Sequence, residues 1–330
     1  MTNIMEKTFF KTTEELKEAV SGMDIAFNRV NLSTGSKRAA GYLRDIITPG
    51  MYDKALAHYH SDDYQKQENP LVALDNLVHH VQFVMGNLTM FFHFIWLQLR
   101  IGNDTISLTD KENVPYKYQT DEARNQLFET AAEGINDMVD FLVAEVTKET
   151  PDEAFNPWKD SSQYGAFKTL LFKNYREFDE YFGIERSAAF FIKARTLIAE
   201  AQNDHIEPRV GSIEKILKPE GEGVQPDTKL IAKIKRAAAY LTIAEACTRF
   251  DYFWLPASIR GQIDNEHAKK NASHQDFVRE KLSALYRNNA EGHLNDVDMY
   301  LAQKNKVAAD IPYGKFETKP SADDKHVTMI

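Results

Sequence analysis

The chain has 330 residues, of which 43% are hydrophobic and 27% charged, a composition that excludes disorder and collagen for most of its length. The formal net charge of −9 excludes an overall basic nucleic-acid footprint. The single cysteine, Cys247, excludes an internal disulfide framework and a cysteine-only zinc site. No apolar run of signal-peptide length occurs in the first ten residues, and with one cysteine in the chain we expect a protein that works in a reducing cytoplasm or inside something assembled there.

Helix signals run through most of the chain. Thr12 and Glu15 form a capping-box pattern, and cap residues precede prolines at Thr48-Pro49, Asn69-Pro70 and Thr150-Pro151. These signals and the spacing of apolar residues predict helices near 13–20, 36–47, 50–60, 70–100, 121–147, 162–181, 187–207, 227–252 and 274–306. The sequence therefore predicts an all-α, or mainly α, multi-helix bundle.

The predicted helix 70–100 is the one segment that resembles a membrane span. The 24 residues between Asp75 and Arg100 are uncharged, which is long enough for the hydrocarbon core of a bilayer. On a helical wheel they form one broad apolar sector opposite two polar stripes that contain His80 and His93. Lipid would leave these polar groups unsatisfied, so we expect a buried central helix and no membrane partner.

Turn residues mark the rest of the organisation. The stretch 101–119 combines turn signals with a short alternating segment, and we expect a small β hairpin or an extended loop there. Two prolines and two glycines in 219–226 indicate a linker between a helical domain, 1–218, and a second helical region, 227–308, that packs on it. Residues 309–330 lack helical periodicity and are expected to form an extended C-terminal arm.

Histidines are the first candidates for a metal site. His58 and His60 point about 200° apart on a helix, so they do not chelate one ion, and we interpret them as part of a solvated helix end. His79, His80 and His93 lie in the polar stripes of the central helix, where we expect hydrogen-bonded core histidines. No Glu-x-x-His pair of the di-metal bundles occurs in the sequence. We therefore expect no bound metal.

The usual catalytic and cofactor motifs are also missing from the sequence. Neither a nucleophile elbow nor a phosphate-binding loop occurs, and Gly221 and Gly223 lie in the linker without a preceding strand. Cys247 lies beside alanines on a predicted helix, with no histidine near it in sequence, and we expect a buried structural thiol. We predict no catalytic residue and no cofactor, and hence no enzyme.

One charge cluster stands out, at the start of the predicted helix 227–252. Four basic residues there have an unfavourable position relative to the helix dipole, and they are Lys229, Lys233, Lys235 and Arg236. They form either a solvated face or a contact for an acidic partner or a nucleic-acid backbone.

The residues of the central stretch also resemble a known family. Roughly between 70 and 260 the chain is similar to an uncharacterised all-helical family encoded by Bacteroides-type phages and prophages. The resemblance rests on spaced aromatic and small residues, in the segments Phe155-Asn-Pro-Trp158, Ser161-Ser162-x-Tyr164, Phe178 to Phe182, Ile184 to Phe191, Arg195 to Ile198 and Ile234 to Ala246. These are packing patterns and carry no catalytic residues.

The resemblance implies a structural role in a virion. Members of that family look like head–tail connector, or adaptor, proteins of tailed phages, which form a ring beneath the portal and use extended arms to hold neighbouring subunits. It implies the portal protein, tail or adaptor proteins and further copies of this chain as partners, with DNA passing nearby without sequence-specific binding. A non-viral bacterial helical scaffold or binding module is the alternative.

The arm 309–330 fits this expectation. It contains six large apolar residues, yet has no period with which to fold alone, so the cost of ordering it favours a neighbouring subunit as its support. We predict that truncation at Ala308 abolishes ring formation or partner binding and leaves the thermal stability of the monomer nearly unchanged. A dispensable terminus is the other interpretation.

Overall fold

A computed structural model describes most of the chain, and it confirms the mainly α prediction. The described residues are 8–20, 32–64, 72–101, 106–108, 117–169, 171–219, 221, 224–267 and 274–309. Their first helices are α1 (Thr13–Ala19), α2 (Ser33–Ile47), α3 (Pro49–Tyr59), α4 (Val72–Gln98), α5 (Lys117–Thr147), α6 (Asn156–Lys159), α7 (Ser162–Thr169) and α8 (Tyr175–Asp179). The later ones are α9 (Ala188–Lys193), α10 (Arg195–Glu200), α11 (Glu207–Val210), α12 (Ile213–Leu217), α13 (Thr228–Arg249), α14 (Ala257–His267) and α15 (His274–Ala309).

Two of the predicted N-terminal caps are present in the structure, and one is wrong. The Thr12–Glu15 capping box is present, and the Thr48 hydroxyl accepts from the Met51 amide at 3.1 Å at the start of α3. The predicted cap at Thr150 is wrong, because Asp152 performs this role and accepts from the Ala154 amide at 2.7 Å, starting the 3₁₀ turn Glu153–Phe155. The pair Asn69-Pro70 lies outside the described residues.

Helix α4 lies at the centre of the first half of the chain, as predicted. It packs against α1, α2, α3 and α5, so both sides of its broad apolar sector are covered by other helices. The α5 stripe that meets it includes the buried residues Phe128, Ile135 and Leu142, which recur every seven positions. Within the described residues, no helix is both long enough and apolar enough to cross a bilayer.

A short β hairpin follows α4. Strands β1 (Leu99–Ile101) and β2 (Ile106–Leu108) pair antiparallel, with Leu99 opposite Leu108. The hairpin therefore begins two residues before the predicted stretch 101–119, since α4 passes into the strand without a break. Most of the remaining stretch, 109–116, lies outside the described residues.

Two predicted helices are broken in the structure. The helix predicted at 162–181 ends at Thr169, and a new one starts at Tyr175 because the Asn174 side chain accepts from the Glu177 amide at 2.9 Å. The helix predicted at 187–207 is divided into α9 and α10, followed by a six-residue π-helical segment, Ala201–Ile206. Many of its apolar residues are buried nonetheless, so the apolar spacing was interpreted correctly.

Helices α13 and α15 pack against each other as an antiparallel pair, which is the main helix pair in the second half of the chain. Tyr300 reaches Asp227 at one end, with 3.0 Å between the hydroxyl and a carboxylate oxygen. At the other end the Arg279 Nε donates to the Cys247 carbonyl at 2.7 Å and the guanidinium also contacts the Phe250 carbonyl. These bonds satisfy free carbonyls at the end of α13, which stops at Arg249 and not at the predicted 252.

Helix α14, which the sequence did not predict, follows a 3₁₀ turn at Tyr252–Trp254. Its N-terminus is capped from a distant part of the chain, because the Glu185 carboxylate accepts from the Ala257 and Ser258 amides at 2.9 and 3.0 Å. Helix α13 contacts α10 and the π-helical segment, which connects the two halves of the chain. The division into 1–218 and 227–308 stays a prediction, and residues 310–330 of the expected arm lie outside the described residues.

Candidate functional site: an aromatic and arginine pocket

The two histidines of the α3 end do not converge on one point. His58 Nε2 donates to Asp75 Oδ1 at 2.7 Å, while His60 Nε2 donates to the Thr8 carbonyl at 2.9 Å. His58 is buried, so the interpretation of a solvated helix end is wrong for this residue: α3 packs its C-terminal turn against the start of α4. The pair thus joins separate segments of the fold.

The α4 histidines have three different environments. His79 is exposed, which contradicts the expected core position, and His80 is half-buried with its ring centroid 5.2 Å from that of Phe141. His93 is buried, but its Nδ1 has no hydrogen-bond partner among the described residues, contrary to the expected bond. Burial lowers the pKa of His80 and of His93, which keeps both rings neutral.

Cys247 is fully buried, as the sequence predicted. Burial raises the pKa of its thiol to about 12, so the reactive thiolate is suppressed at neutral pH. In the part of the chain that the structure describes, no three His, Cys, Asp or Glu side chains are grouped to hold a metal ion.

The basic cluster at the start of α13 is divided between two faces. Lys229 and Arg236 are exposed and Lys233 is half-buried, whereas Lys235 is only 6% exposed. The Lys235 ammonium pairs with the Glu177 carboxylate and lies 6.0 Å from the ring centroids of Phe172 and Tyr181. The four basic residues therefore do not form one solvated face. Lys235 points inwards, where its ion pair with Glu177 holds α13 against α8.

A pocket lies where α4, α5 and α14 meet the 3₁₀ turn. It has a volume of about 640 Å³. Its floor is aromatic: the ring centroids of Phe91 and Phe128 lie 4.9 Å apart, and Phe253 crosses Phe91 at 5.3 Å and 88°. Phe91 and Phe128 are buried, whereas Phe253 is half-buried, so part of the floor is accessible from the opening.

Two arginines lie over these rings. The Arg124 guanidinium carbon is 4.9 Å from the Phe91 centroid, and that of Arg260 is 4.5 Å from the Phe128 centroid. A guanidinium over an aromatic face is attracted by the ring quadrupole and retains its donors for a ligand at the rim. The pocket thus combines an apolar floor with cationic donors above it.

The rim also carries acidic groups. Asp121 and Glu129 are exposed on α5, and the Tyr252 hydroxyl donates to the Asp264 carboxylate across the opening. Burial and this hydrogen bond raise the pKa of Tyr252, so the phenol stays protonated. Gly261 completes the wall, and a Cβ built at this position meets no atom within 4 Å.

This composition is typical of protein-binding hot spots. Aromatic and arginine side chains dominate such sites because they supply large contact areas together with directional donors. The described residues that line the pocket include no serine, threonine, cysteine, histidine or lysine.

A second, smaller pocket of about 400 Å³ lies beside the π-helical segment, between α10, α13 and α15. Its charges pair with each other or with neighbours: Arg249 with Glu200, and Arg287 with Glu245. π-Helical insertions are frequent at functional sites. Here the paired charges give no preference for one ligand class.

The aromatic pocket was not predicted from the sequence. Phe128 fell within the predicted helix 121–147, and Tyr252 fell at the end of the predicted helix 227–252. One signal was available: three consecutive aromatic residues, Tyr252 to Trp254, directly follow a long helix, which is unusual for a solvated loop. Arg124 and Arg260 gave no signal, since they are ordinary surface residues of helices that lie far apart in the sequence.

Comparison with known proteins gives one similarity. Residues 201–323 match the model of a family described as "Family of unknown function (DUF6712)". This span contains α13 to α15 and the α14 side of the aromatic pocket, and its description names neither a phage nor a connector. No curated protein and no solved structure matches the chain.

Proposed function

We propose that the chain is a virion structural protein, a head–tail connector or adaptor that forms a ring between portal and tail in a tailed phage. In this role it binds the portal protein, tail or adaptor proteins and further copies of itself. It is assembled in the host bacterial cytoplasm, performs no catalysis and lets DNA pass without reading its sequence. Its function is then mechanical, since buried interface area holds the ring together.

The observation that carries this proposal is the aromatic and arginine pocket, which has the composition of a protein-binding site. Phe91 and Phe128 supply its apolar floor and Arg124 and Arg260 its donors. The net charge of −9 adds support, because a negative surface repels the DNA that must pass through a connector.

The resemblance to the phage family gives the proposal its viral context. Its key residues are packing residues, since Phe155, Trp158, Phe178 and Phe191 are all fully buried. A pattern of this kind carries information on the fold and its assembly, which fits a structural protein.

A non-viral helical scaffold is the second candidate. The pocket on its own favours it equally, because an aromatic and arginine surface suits any protein partner. The two candidates differ in the partner and in the assembly, and both differences are measurable.

The test is sedimentation velocity and negative-stain electron microscopy of the purified chain, alone and mixed with the portal protein encoded in the same genome. A connector is expected to form rings alone or on the portal. A chain that stays monomeric and does not bind the portal overturns the proposal. Capture of the chain in purified virions, detected by mass spectrometry, is expected for a connector and not for a cellular scaffold.

A further inference from the structure

We propose that the aromatic pocket receives the segment Tyr313–Phe316 of a second copy of this chain, so that each C-terminal arm docks on its neighbour. This inference rests on the proposed function, which requires contacts between copies, and it names the residues on both sides of one contact. The segment belongs to residues 310–330, which lie outside the described part of the chain.

The chemistry of the two sides is complementary. Tyr313 and Phe316 offer aromatic rings for a floor made of Phe91, Phe128 and Phe253. Between them Lys315 brings a positive charge to a rim that carries the exposed carboxylates of Asp121 and Glu129. The Tyr313 hydroxyl adds a group that the arginine donors above the floor can bond.

The length of the chain favours a segment that comes from another copy. Gln275, at the start of α15, lines the pocket, and the helix runs from there to Ala309, a distance of about 50 Å at about 1.5 Å per residue. Phe316 follows Ala309 by 7 residues, which span at most about 25 Å. Even from Tyr286, the α15 residue that bonds Gln262 next to Gly261, the helix runs about 35 Å to Ala309 at about 1.5 Å per residue, which is longer than the extended arm.

The resulting contact is of the kind that builds rings. The segment leaves one copy after the C-terminal end of α15 and meets the next copy beside the N-terminal end of its α15. Such a head-to-tail contact joins two different surfaces, and it repeats until a rotation closes it into a ring.

Cysteine cross-linking tests the contact directly in the full chain. Gly261→Cys places a thiol on the open wall of the pocket, and Lys315→Cys places one in the arm, while the native Cys247 is fully buried and stays silent. We expect an equal mixture of the two single variants to give a covalent heterodimer with a short bis-maleimide. No heterodimer in mixtures that still assemble, or a cross-link formed only within the double variant, overturns the inference.

A pocket-filling variant tests whether the contact matters for assembly. Gly261→Leu adds a side chain to the pocket wall at a position where a Cβ meets no atom within 4 Å, and Gly41→Leu is the matched control, at a helical glycine where a Cβ is equally free. We expect Gly261→Leu to weaken self-association by about tenfold or more, the size of a hot-spot loss, and the control to leave it unchanged. Equal association of both variants, at equal thermal stability, overturns the inference.

These outcomes separate the inference from the proposed function. Rings or portal complexes that persist in Gly261→Leu retain the connector function and refute the arm contact. Efficient cross-linking between copies that form neither rings nor portal complexes retains the arm contact and refutes the connector function.

Discussion

Helices α4 and α15 are both long, but they are used in different ways. Helix α4 is covered by α1, α2, α3 and α5, and no charged residue occurs between Asp75 and Arg100. Helix α15 packs mainly on α13 and α14, and its outer face leaves Leu285 49% and Met299 57% exposed. The first helix is thus a core element, whereas the second has one face for the core and one for solvent or a partner.

Their polar groups show the same contrast. On α4, the buried Asn87 amide donates to the Ala19 and Phe83 carbonyls, while the Thr89 hydroxyl has no partner among the described residues. On α15, Tyr300 and Lys304 both bond Asp227 at the protein surface. Substitutions in the α4 layer are therefore expected to cost more stability than equivalent ones on α15.

The largest effect is expected for Gly35→Ala, where α2 crosses α4. A Cβ at this position lies 2.5 Å from the Thr89 carbonyl oxygen, so the two backbones must separate. We expect a loss of about 3 kcal/mol of unfolding free energy in urea titrations. Gly41→Ala on the same helix is the control, since its Cβ meets nothing within 4 Å. A Gly35→Ala protein as stable as the wild type would refute the close crossing.

The next effect concerns the buried ion pair under α13. Lys235→Met leaves the Glu177 carboxylate without its main partner, and we expect a loss of about 2 kcal/mol, below the full cost of a buried orphan charge because Glu177 is 23% exposed. Adding Glu177→Gln is expected to restore part of the loss. Arg249→Met breaks an exposed pair and serves as control, with an expected loss under about 1 kcal/mol. Equal losses for both would show that burial does not matter here.

The pH dependence of stability reports on the α4 histidines. Burial lowers the pKa of His93 below its ordinary value of 6.5, so the unfolded chain binds the proton first on acidification. The stability gained from the neutral ring is complete above about pH 6.5 and declines as the pH falls through the lowered pKa. We expect Tm to fall between pH 7 and 5, and less steeply in His93→Gln.

The exposed His79 provides the control for this measurement. We expect His79→Gln to change the slope of Tm against pH less than His93→Gln does, because the His79 side chain is exposed whereas that of His93 is buried. A slope that changes equally in both variants would contradict the burial of His93.

The smallest expected effect is a gain in stability. Gly292 lies on the outer face of α15, and a Cβ there meets nothing within 4 Å. Gly292→Ala is expected to stabilise the chain by about 0.5–1 kcal/mol, because alanine loses less conformational entropy in a helix. A loss of stability in thermal unfolding would show that this face of α15 is packed against a neighbour.

Local signals determined much of the fold. The capping box of Thr12 and Glu15, the Thr48-Pro49 start and the apolar spacing within 121–147 predicted helices that the structure contains. The wheel of the central helix also predicted its burial, because a charge-free stretch with two polar stripes has no other stable environment in water. These features depend on residues within one or two helical turns of each other, so their spacing can be read directly from the sequence.

Only the tertiary structure determined where several helices end, which side chains pair with each other and where the aromatic pocket forms. Glu185 caps α14 from more than 70 residues away, and Arg279 ends α13 from the next helix but one. Lys235 looks like its basic neighbours in sequence, and only the packing of α13 turned it towards Glu177. The aromatic pocket gathers Phe91, Arg124 and Arg260 from three helices, and no local spacing encodes such a meeting, because it depends on how the helices pack together.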